Sequence, residues 1–196
     1  MGLKNQPTKA EALDFVDFKR LLKGLRQDEL YKWELYCTAS FCTALRVSDV
    51  KSTSWGDLLH QNDFIKLEKK TSKLRDIKIG QSFQLRLQEL YELMGSPSLD
   101  SSIIQNNKTG KELSTQYINR YIKNFIFWYK LPIRKFSSHT FRKTFGRYIW
   151  EMMGKTTEAL VLLCLIFKHA NVQTTMIYLG IRQDEIEGLY DMIELD

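Results

Sequence analysis

The 196-residue chain contains few of the residues that mark disulfide-rich or low-complexity proteins: three prolines, ten glycines and three cysteines. The cysteines, Cys37, Cys42 and Cys164, lie in apolar stretches with helical spacing, and no CxxC pair occurs. We interpret them as small buried hydrophobic residues and not as a disulfide or zinc framework. Because 43% of the residues are hydrophobic, the chain has enough apolar side chains for a packed core, which excludes a disordered protein.

Long apolar runs are also absent from the sequence. No stretch approaches the ~18 consecutive apolar residues of a membrane span, and the first 15 residues lack the apolar segment of a signal peptide. We therefore expect a cytoplasmic protein with no membrane partner. The net charge of +6 permits an anionic partner, although solvated lysines alone produce the same excess in many proteins.

Most of the chain shows the spacing of apolar residues that predicts amphipathic helices. The predicted helices cover residues 11–26, 28–45, 48–55, 81–94, 114–130, 138–153, 157–168, 171–178 and 183–194, with Ser48 and Ser114 as N-caps. Residues 64–70 and 74–80 instead alternate with period two around the segment 71–73, which predicts a β-hairpin. Residues 58–63 are a candidate third strand at its edge. The predicted fold class is α+β, mostly α-helical with one small antiparallel β-sheet.

Motifs of the common enzyme classes are missing: there is no P-loop, no GxGxxG turn, no HExxH and no GxSxG. The acidic residues are scattered and the histidines show no zinc spacing, so we expect neither a metal nor another cofactor. Basic and nucleophilic side chains do lie near predicted helix ends, at Arg46, His139, Arg142, His169 and Tyr178. Taken singly, each has an ordinary interpretation as a helix-dipole partner, a solvated helix face, a cap or a half-buried aromatic residue.

Together these residues resemble a known set. The stretches TALRVSD, KKTSK, HTFRKTF and KHANVQTTMIYLG follow the order of the motifs of the tyrosine recombinases, also called the phage integrase family. The similarity extends over residues 11–194 and implies the catalytic-domain fold of that family. It also implies that a scissile phosphate is surrounded by Arg46, Lys70, His139, Arg142, His169 and Tyr178.

The implied reaction is the cleavage and rejoining of DNA strands through a 3′-phosphotyrosyl intermediate on Tyr178, without metal or ATP. Arg46 and Arg142 would bind the non-bridging phosphate oxygens through charge-assisted hydrogen bonds. His139 would help to ionise the tyrosine, whose reference pKa is about 10, and His169 would donate a hydrogen bond to the phosphate.

The lysine is the open position of this set. Lys70 is chosen to protonate the departing 5′ oxygen because it directly precedes Thr71, as the family's lysine often does; Lys73 is the alternative. Asp49 matches an acidic family position and is expected to orient an arginine or to cap the following helix. Lys168 departs from the family pattern, since many members carry glycine there.

The implied partner is double-stranded DNA, bound in the nucleoid by a homo-oligomer, specifically a tetramer. Residues 1–10 are interpreted as a linker or tail, 11–180 as the catalytic domain, and 181–196 as a tail helix that folds back or docks on a neighbouring protomer. The family's N-terminal core-binding domain has no counterpart here, so the chain is interpreted as a catalytic-domain fragment or an unusually short member. The alternative functions are a type IB topoisomerase-like relaxing enzyme and a non-catalytic DNA-binding module.

Overall fold

The computed structural model describes residues 10–59, 63–70, 72–106 and 108–181. The helix predicted at 183–194, the docking of that tail and residues 1–9 of the linker predicted at 1–10 lie outside these ranges. Within them the helices are α1 (Phe15–Gln27), α2 (Tyr31–Thr43), α3 (Val47–Val50), α4 (Trp55–Leu59), α5 (Gln81–Leu93), α6 (Thr115–Ile122), α7 (Phe125–Trp128), α8 (Ser138–Met152), α9 (Thr157–Phe167) and α10 (Val172–Leu179). The strands are β1 (Asp63–Leu67) and β2 (Leu74–Lys78). The predicted fold class is confirmed.

The two strands form the predicted hairpin. They pair in antiparallel register, with Phe64 opposite Ile77 and Leu67 opposite Leu74. Alternate side chains of a strand point to opposite faces, so Phe64 and Ile77 are buried in the core whereas Leu67 and Leu74 are exposed. The connection between the strands carries Lys70, and Glu68 at its start contacts Arg46, which lies shortly after the end of α2.

The third strand predicted at 58–63 is wrong, because Leu58 and Leu59 belong to α4. Ser54 and Asp57 start that helix through reciprocal bonds between side chains and backbone amides, at 2.9 and 3.1 Å. In the described ranges the sheet has two strands, and α4 packs against β1 and α5. The apolar residues of this segment therefore cover the hairpin as a helix and do not extend it as a strand.

The capping predictions have mixed outcomes. Ser114 caps α6 as predicted, since its hydroxyl accepts a hydrogen bond from the Tyr117 amide at 3.1 Å. Ser48 is not an N-cap, because α3 begins at Val47 and Arg46 takes the N-cap position.

The single helix predicted at 114–130 is divided into α6 and α7. Between them the Asn124 amide bonds the Tyr121 carbonyl at 3.1 Å, which tightens the chain to three residues per turn. This pitch places Ile122 and Phe125 on the same side, and both are fully buried. The burial of both side chains is therefore kept across the break.

Two apolar clusters meet at the end of α2. This helix is the centre of the main cluster, with every residue from Trp33 to Phe41 buried and with α1, α5 and α8 packed around it. The second cluster joins α9 and α10 to α8 through Phe167 and Leu179. Gly146 permits this close approach, since a Cβ there would lie 2.6 Å from Leu179 and 2.9 Å from Phe167. Of the predicted site residues, Arg142, His169 and Tyr178 lie along the seam between the clusters, in contact with Ala44 or Phe167.

The helix α9 is apolar on more than its buried side: Leu163 is fully buried while Leu165 is 61% exposed. No single helix in the described ranges is long and apolar enough to cross a membrane. The two helices α9 and α10 meet that criterion of length and composition only as a pair, and they are bent by 93° at their junction.

Candidate active site

Two helix C-termini define the position of the site. The residues that follow α2 and α9, Ala44 and Lys168, both adopt the left-handed conformation, with φ of 48° and 52°. At the end of α9 the amides of Lys168 and His169 bond the carbonyls of Leu165 and Cys164, each at 3.1 Å. This turn ends the helix and directs His169 into the seam. Lys168 thus occupies a conformation that glycine adopts without strain, which is consistent with the glycine expected there from the resemblance.

The side chain of Arg142 connects these two helix ends. Its guanidinium donates to the backbone carbonyl of Ala44 and, at 2.9 Å, to that of Phe167. It also lies over the Phe167 ring, with its central carbon 4.6 Å from the ring centre. Carbonyls at a helix C-terminus carry partial negative charge, which favours a cation there. Arg142 is only 2% exposed, so the interpretation of this residue as part of a solvated helix face is wrong.

Arg46 belongs to a second buried charge group. Its Nη1 lies 2.5 Å from Oε2 of Glu68, a carboxylate that is fully buried immediately after β1. Arg75 of β2 lies on the other side, with Nη1 3.7 Å from Glu68 Oε1, and donates to the carbonyls of Thr43 and Ala44. Arg46 pairs with this carboxylate, while the carbonyls at the end of α2 accept hydrogen bonds from Arg75 and Arg142. The interpretation of Arg46 as the partner of the helix dipole is therefore wrong.

The three guanidiniums raise the local positive charge. Burial and the repulsion of neighbouring arginines lower the pKa of Arg75 and of Arg142 to about 10, against the opposing effect of Glu68. Both side chains therefore remain cations at neutral pH. Such a cluster of buried cations, with a single buried carboxylate between two of them, favours an additional anion such as a phosphate.

Both histidines of the site are uncharged at neutral pH. Burial, together with the charges of Arg142 and Arg46, lowers the pKa of His139 and of His169 to about 4. The Nδ1 atom of His169 lies 3.0 Å from the buried hydroxyl of Thr175, which orients the ring. A neutral imidazole is able to accept a proton, which is the property that a general base needs.

The hydroxyl of Tyr178 is buried and makes no hydrogen bond of normal geometry to a described residue, although the Arg142 guanidinium lies close enough to lower its pKa. Its ring centre lies 5.2 Å from that of His169 and 6.4 Å from that of His139. Burial raises the pKa of Tyr178 to about 12, although Arg142 and Arg46 act in the opposite direction. A buried hydroxyl without a full hydrogen bond costs free energy, and this one lies beside two histidines and a guanidinium, so its surroundings suit a functional role.

The hairpin turn brings the lysines to the edge of this cluster. Lys69, Lys70 and Lys73 are all exposed. The charge of Lys70 contributes to the lowered pKa of His139, which indicates that this lysine lies near the cluster. The choice of Lys70 over Lys73 remains a prediction.

Asp49 has a role different from the two that were expected. Its buried carboxylate accepts a hydrogen bond from the Lys69 backbone amide at 3.0 Å. It thereby holds the hairpin turn beside α3. Its effect on the site is exerted through the lysine-bearing turn.

The sequence reasoning missed Glu68, Arg75 and Thr175. A signal for the first two was present, because alternation along the strands places Glu68 on the same side as buried Phe64, and Arg75 on the same side as buried Ile77. Thr175 gave no such signal in the sequence. In the described part of the chain, no group of three or more His, Cys, Asp or Glu side chains is placed to hold a metal ion.

Known proteins resemble this chain over most of its length. Residues 11–185 match the sequence model of the phage integrase family. The chain is 27% identical over 148 residues to the probable integrase/recombinase YoeC of Bacillus subtilis, covering 76% of this chain and 77% of that protein. It is 24% identical over 157 residues to the tyrosine recombinase XerC of Thermodesulfovibrio yellowstonii, covering 77% of this chain and 50% of that protein.

Solved structures show the same fold. The XerA recombinase aligns with a TM-score of 0.71 at 19% identity, over 97% of this chain and 68% of that one. The XerH recombinase bound to its difH substrate aligns with a TM-score of 0.69 at 17% identity, over 98% of this chain and 58% of that one. Because the family model matches most of the chain, the chain belongs to the phage integrase family.

Proposed function

We propose that this protein is a site-specific DNA recombinase that cleaves and rejoins strands through a covalent link between Tyr178 and a 3′ phosphate. The observation that carries the proposal is the buried hydroxyl of Tyr178 beside two neutral histidines and the cations Arg46 and Arg142. These groups belong to four separate parts of the chain. Their assembly gives a nucleophile, a base and phosphate-binding groups at one site.

The arginines bind the scissile phosphate and stabilise the transition state. A phosphodiester carries one negative charge, and attack by a phenolic oxygen increases the charge on the non-bridging oxygens. A guanidinium has five N–H donors, so the bonds from Arg142 to two carbonyls and from Arg46 to Glu68 leave further donors for phosphate oxygens. Because these cations are already fixed in place, little reorganisation is required when the charge develops.

His139 and Lys70 carry out the proposed proton transfers, and His169 binds the phosphate. The pKa of about 12 keeps Tyr178 protonated at neutral pH, so a base must remove its proton during attack. His139, neutral at this pH, accepts that proton as the tyrosine oxygen bonds to phosphorus and the bond from phosphorus to the 5′ oxygen breaks. His169, held by Thr175, donates a hydrogen bond to a phosphate oxygen. Lys70 transfers a proton to the departing 5′ oxygen.

The proposed partner is double-stranded DNA. A relative of the same fold, XerH, is bound to its difH substrate, and a lambda integrase of similar fold forms a dimer on a core site. The net charge of +6 and the cation cluster suit a polyanion. We extend this to a homo-oligomer on DNA, with a tetramer as the assembly for exchange between two duplexes.

The test is covalent capture of DNA. The protein is mixed with a pool of randomised DNA duplexes that carry a nick close to each potential cleavage position. After cleavage the short strand next to the nick diffuses away, so rejoining is prevented and the covalent adduct accumulates. Recovered adducts are resolved on a denaturing gel and sequenced. The wild-type protein is expected to give adducts that converge on one sequence, and Tyr178→Phe is expected to give none while binding DNA within about threefold of wild type.

A matched control is Tyr148→Phe, which removes the hydroxyl of another half-buried tyrosine, on α8. It is expected to form adducts at the wild-type rate. Adducts that persist in Tyr178→Phe would refute the assignment of the nucleophile. Efficient plasmid relaxation without any sequence-dependent joining would favour a topoisomerase, and DNA binding without adducts in the wild type would indicate a binding module.

A further inference from the structure

The carboxylate of Glu68 has an unusual position for a DNA-binding site. It is fully buried, directly follows β1 and lies between Arg46, at 2.5 Å, and Arg75, at 3.7 Å. A negative charge beside a phosphate site weakens DNA binding, and burial of a carboxylate is costly unless cations compensate for it. Its presence therefore requires an explanation in terms of the groups that it contacts.

Glu68 connects the two arginines proposed to bind the phosphate. Arg75, on its other side, donates to the Ala44 carbonyl at 3.0 Å, and Arg142 donates to the same carbonyl. A continuous series of contacts therefore runs from Arg46 through Glu68, Arg75 and the end of α2 to Arg142. The separation between Arg46 and Arg142 is thus determined by bonded groups and not by two independent side chains.

The same residue holds the turn that carries the lysines. The Glu68 amide donates to the Lys73 carbonyl at 3.1 Å, and its carbonyl accepts from the Ser72 amide at 2.9 Å. The backbone of Glu68 therefore orders the turn, while its side chain binds Arg46. Without that side chain, Arg46, whose side chain is 15% exposed, would face Arg75 with no intervening anion and would be repelled toward solvent.

We propose that Glu68 is a positioning residue that acts through Arg46: it holds the guanidinium at the phosphate site, at the expense of some electrostatic attraction for DNA. The proposal rests on the function proposed above. It predicts effects of opposite sign, because removal of the charge weakens transition-state stabilisation but does not weaken DNA binding. A purely structural role would impair both, and a purely electrostatic role would improve both.

Glu34 supplies a matched control. It is also a fully buried carboxylate between two arginines, with Arg26 at 2.6 Å and Arg86 at 2.8 Å. It lies near the start of α2, ten residues before Ala44, which corresponds to about 15 Å along the helix. Glu34→Gln therefore imposes the same chemical change on the fold, but far from the proposed site.

The experiment compares Glu68→Gln with Glu34→Gln. The captured DNA sequence is used at saturation, and the single-turnover rate of adduct formation, the Kd for DNA and the melting temperature are measured for each. Glu68→Gln is expected to form adducts at least ~10-fold more slowly, with a Kd equal to or below that of wild type. Glu34→Gln is expected to lower the melting temperature while retaining adduct formation within about twofold of wild type.

A second substrate separates positioning from misfolding. In a methylphosphonate, a methyl group replaces one non-bridging oxygen, so the neutral phosphate depends less on a second guanidinium. If Glu68 acts through Arg46, the slowing caused by Glu68→Gln shrinks on this substrate, whereas a misfolded site slows both substrates alike. If Glu68→Gln is too unstable to assay, Glu68→Asp takes its place. It keeps the charge but shortens the side chain, and it is expected to fold and to cleave at a rate between those of wild type and a variant without the carboxylate.

Cleavage by a folded Glu68→Gln protein, or by Glu68→Asp in its place, within twofold of wild type would overturn the proposal. Equal slowing on both substrates, or a Kd that rises with the loss of cleavage, would do the same. These results are distinguishable from a failure of the proposed function. That failure appears as adducts that survive in Tyr178→Phe, or as their absence in the wild type, whatever residue occupies position 68.

Discussion

Replacement of Arg142 by lysine keeps a positive charge but removes the planar fork that joins α2 to α9. The Ala44 carbonyl retains its hydrogen bond from Arg75 at 3.0 Å, so that end of the contact remains satisfied. A lysine ammonium lacks the planar fork that places one donor on each carbonyl, so the bond at 2.9 Å to the Phe167 carbonyl is expected to be lost. One unsatisfied buried carbonyl costs about 1–3 kcal/mol. Loss of the guanidinium over the Phe167 ring adds about 0.5–2 kcal/mol.

The expected loss of stability is thus about 1.5–5 kcal/mol, which corresponds to a fall in melting temperature of roughly 3–20 °C for a chain of this size. Thermal unfolding followed by circular dichroism measures it. Adduct formation is expected to fall by about 10²–10³-fold, since one preorganised donor group is lost from the transition state. The control is Arg147→Lys on the same helix, where Arg147 lies 4.0 Å from Glu151, 3.4 Å from the Leu179 carbonyl and 5.8 Å from the Trp150 ring centre. Because these longer contacts are partly exposed, water replaces what is lost, and the melting temperature is expected to stay within about 2 °C. A similar result for Arg142→Lys would refute the inferred bridge.

Two further predictions follow from the histidines. The pKa of His139 and of His169 is lowered to about 4 in the folded protein, so below pH 6.5 the unfolded chain binds protons before the folded protein does. The free energy of unfolding is therefore expected to decrease as the pH falls from 6.5 to 4. Urea unfolding at pH 7 and pH 5 tests this, with His139→Gln expected to reduce the difference; a stability that rises toward pH 5 would contradict it. Thr175→Val removes the hydroxyl that bonds His169 Nδ1 and is expected to slow adduct formation with little change in DNA Kd. Thr175→Ser is expected to restore the rate, and equal defects in both variants would show that packing and not the hydrogen bond is responsible.

The helices and the hairpin were largely predictable because periodicity reports burial directly. The alternation around 64–80 predicted the hairpin, and Ser114 marked the start of α6. Periodicity failed where an apolar segment was short, as at Leu58 and Leu59, since a few apolar residues fit a strand edge and a buried helix equally well. It also failed to show the break between α6 and α7, because residues three apart suit both helical pitches.

The site was predictable only in part, for a different reason. Its motif residues were grouped through the resemblance to a known family. Strand alternation could have indicated that Glu68 and Arg75 are buried, but nothing in the sequence identifies the residues that they contact. The partner of a buried charge depends on contacts between distant parts of the chain, such as the bond from Arg142 to the carbonyl of Ala44, 98 residues away. Local patterns indicate that a charge is buried, but not what compensates for it.

The helix ends explain why these distant motifs converge. The last turn of a helix leaves carbonyls without amide partners, and a left-handed residue that follows it turns the chain away. Ala44 and Lys168 both do so without being glycine, at a cost of about 1–2 kcal/mol each. The carbonyls of Ala44 and Phe167 then accept the donors of Arg75 and Arg142, so the arginines complete the helix ends while the helix ends fix the arginines. Because each group satisfies the other, the cations stay in place before any DNA is bound. The strain of two left-handed residues is therefore offset by the same contacts that prepare the site for a phosphate.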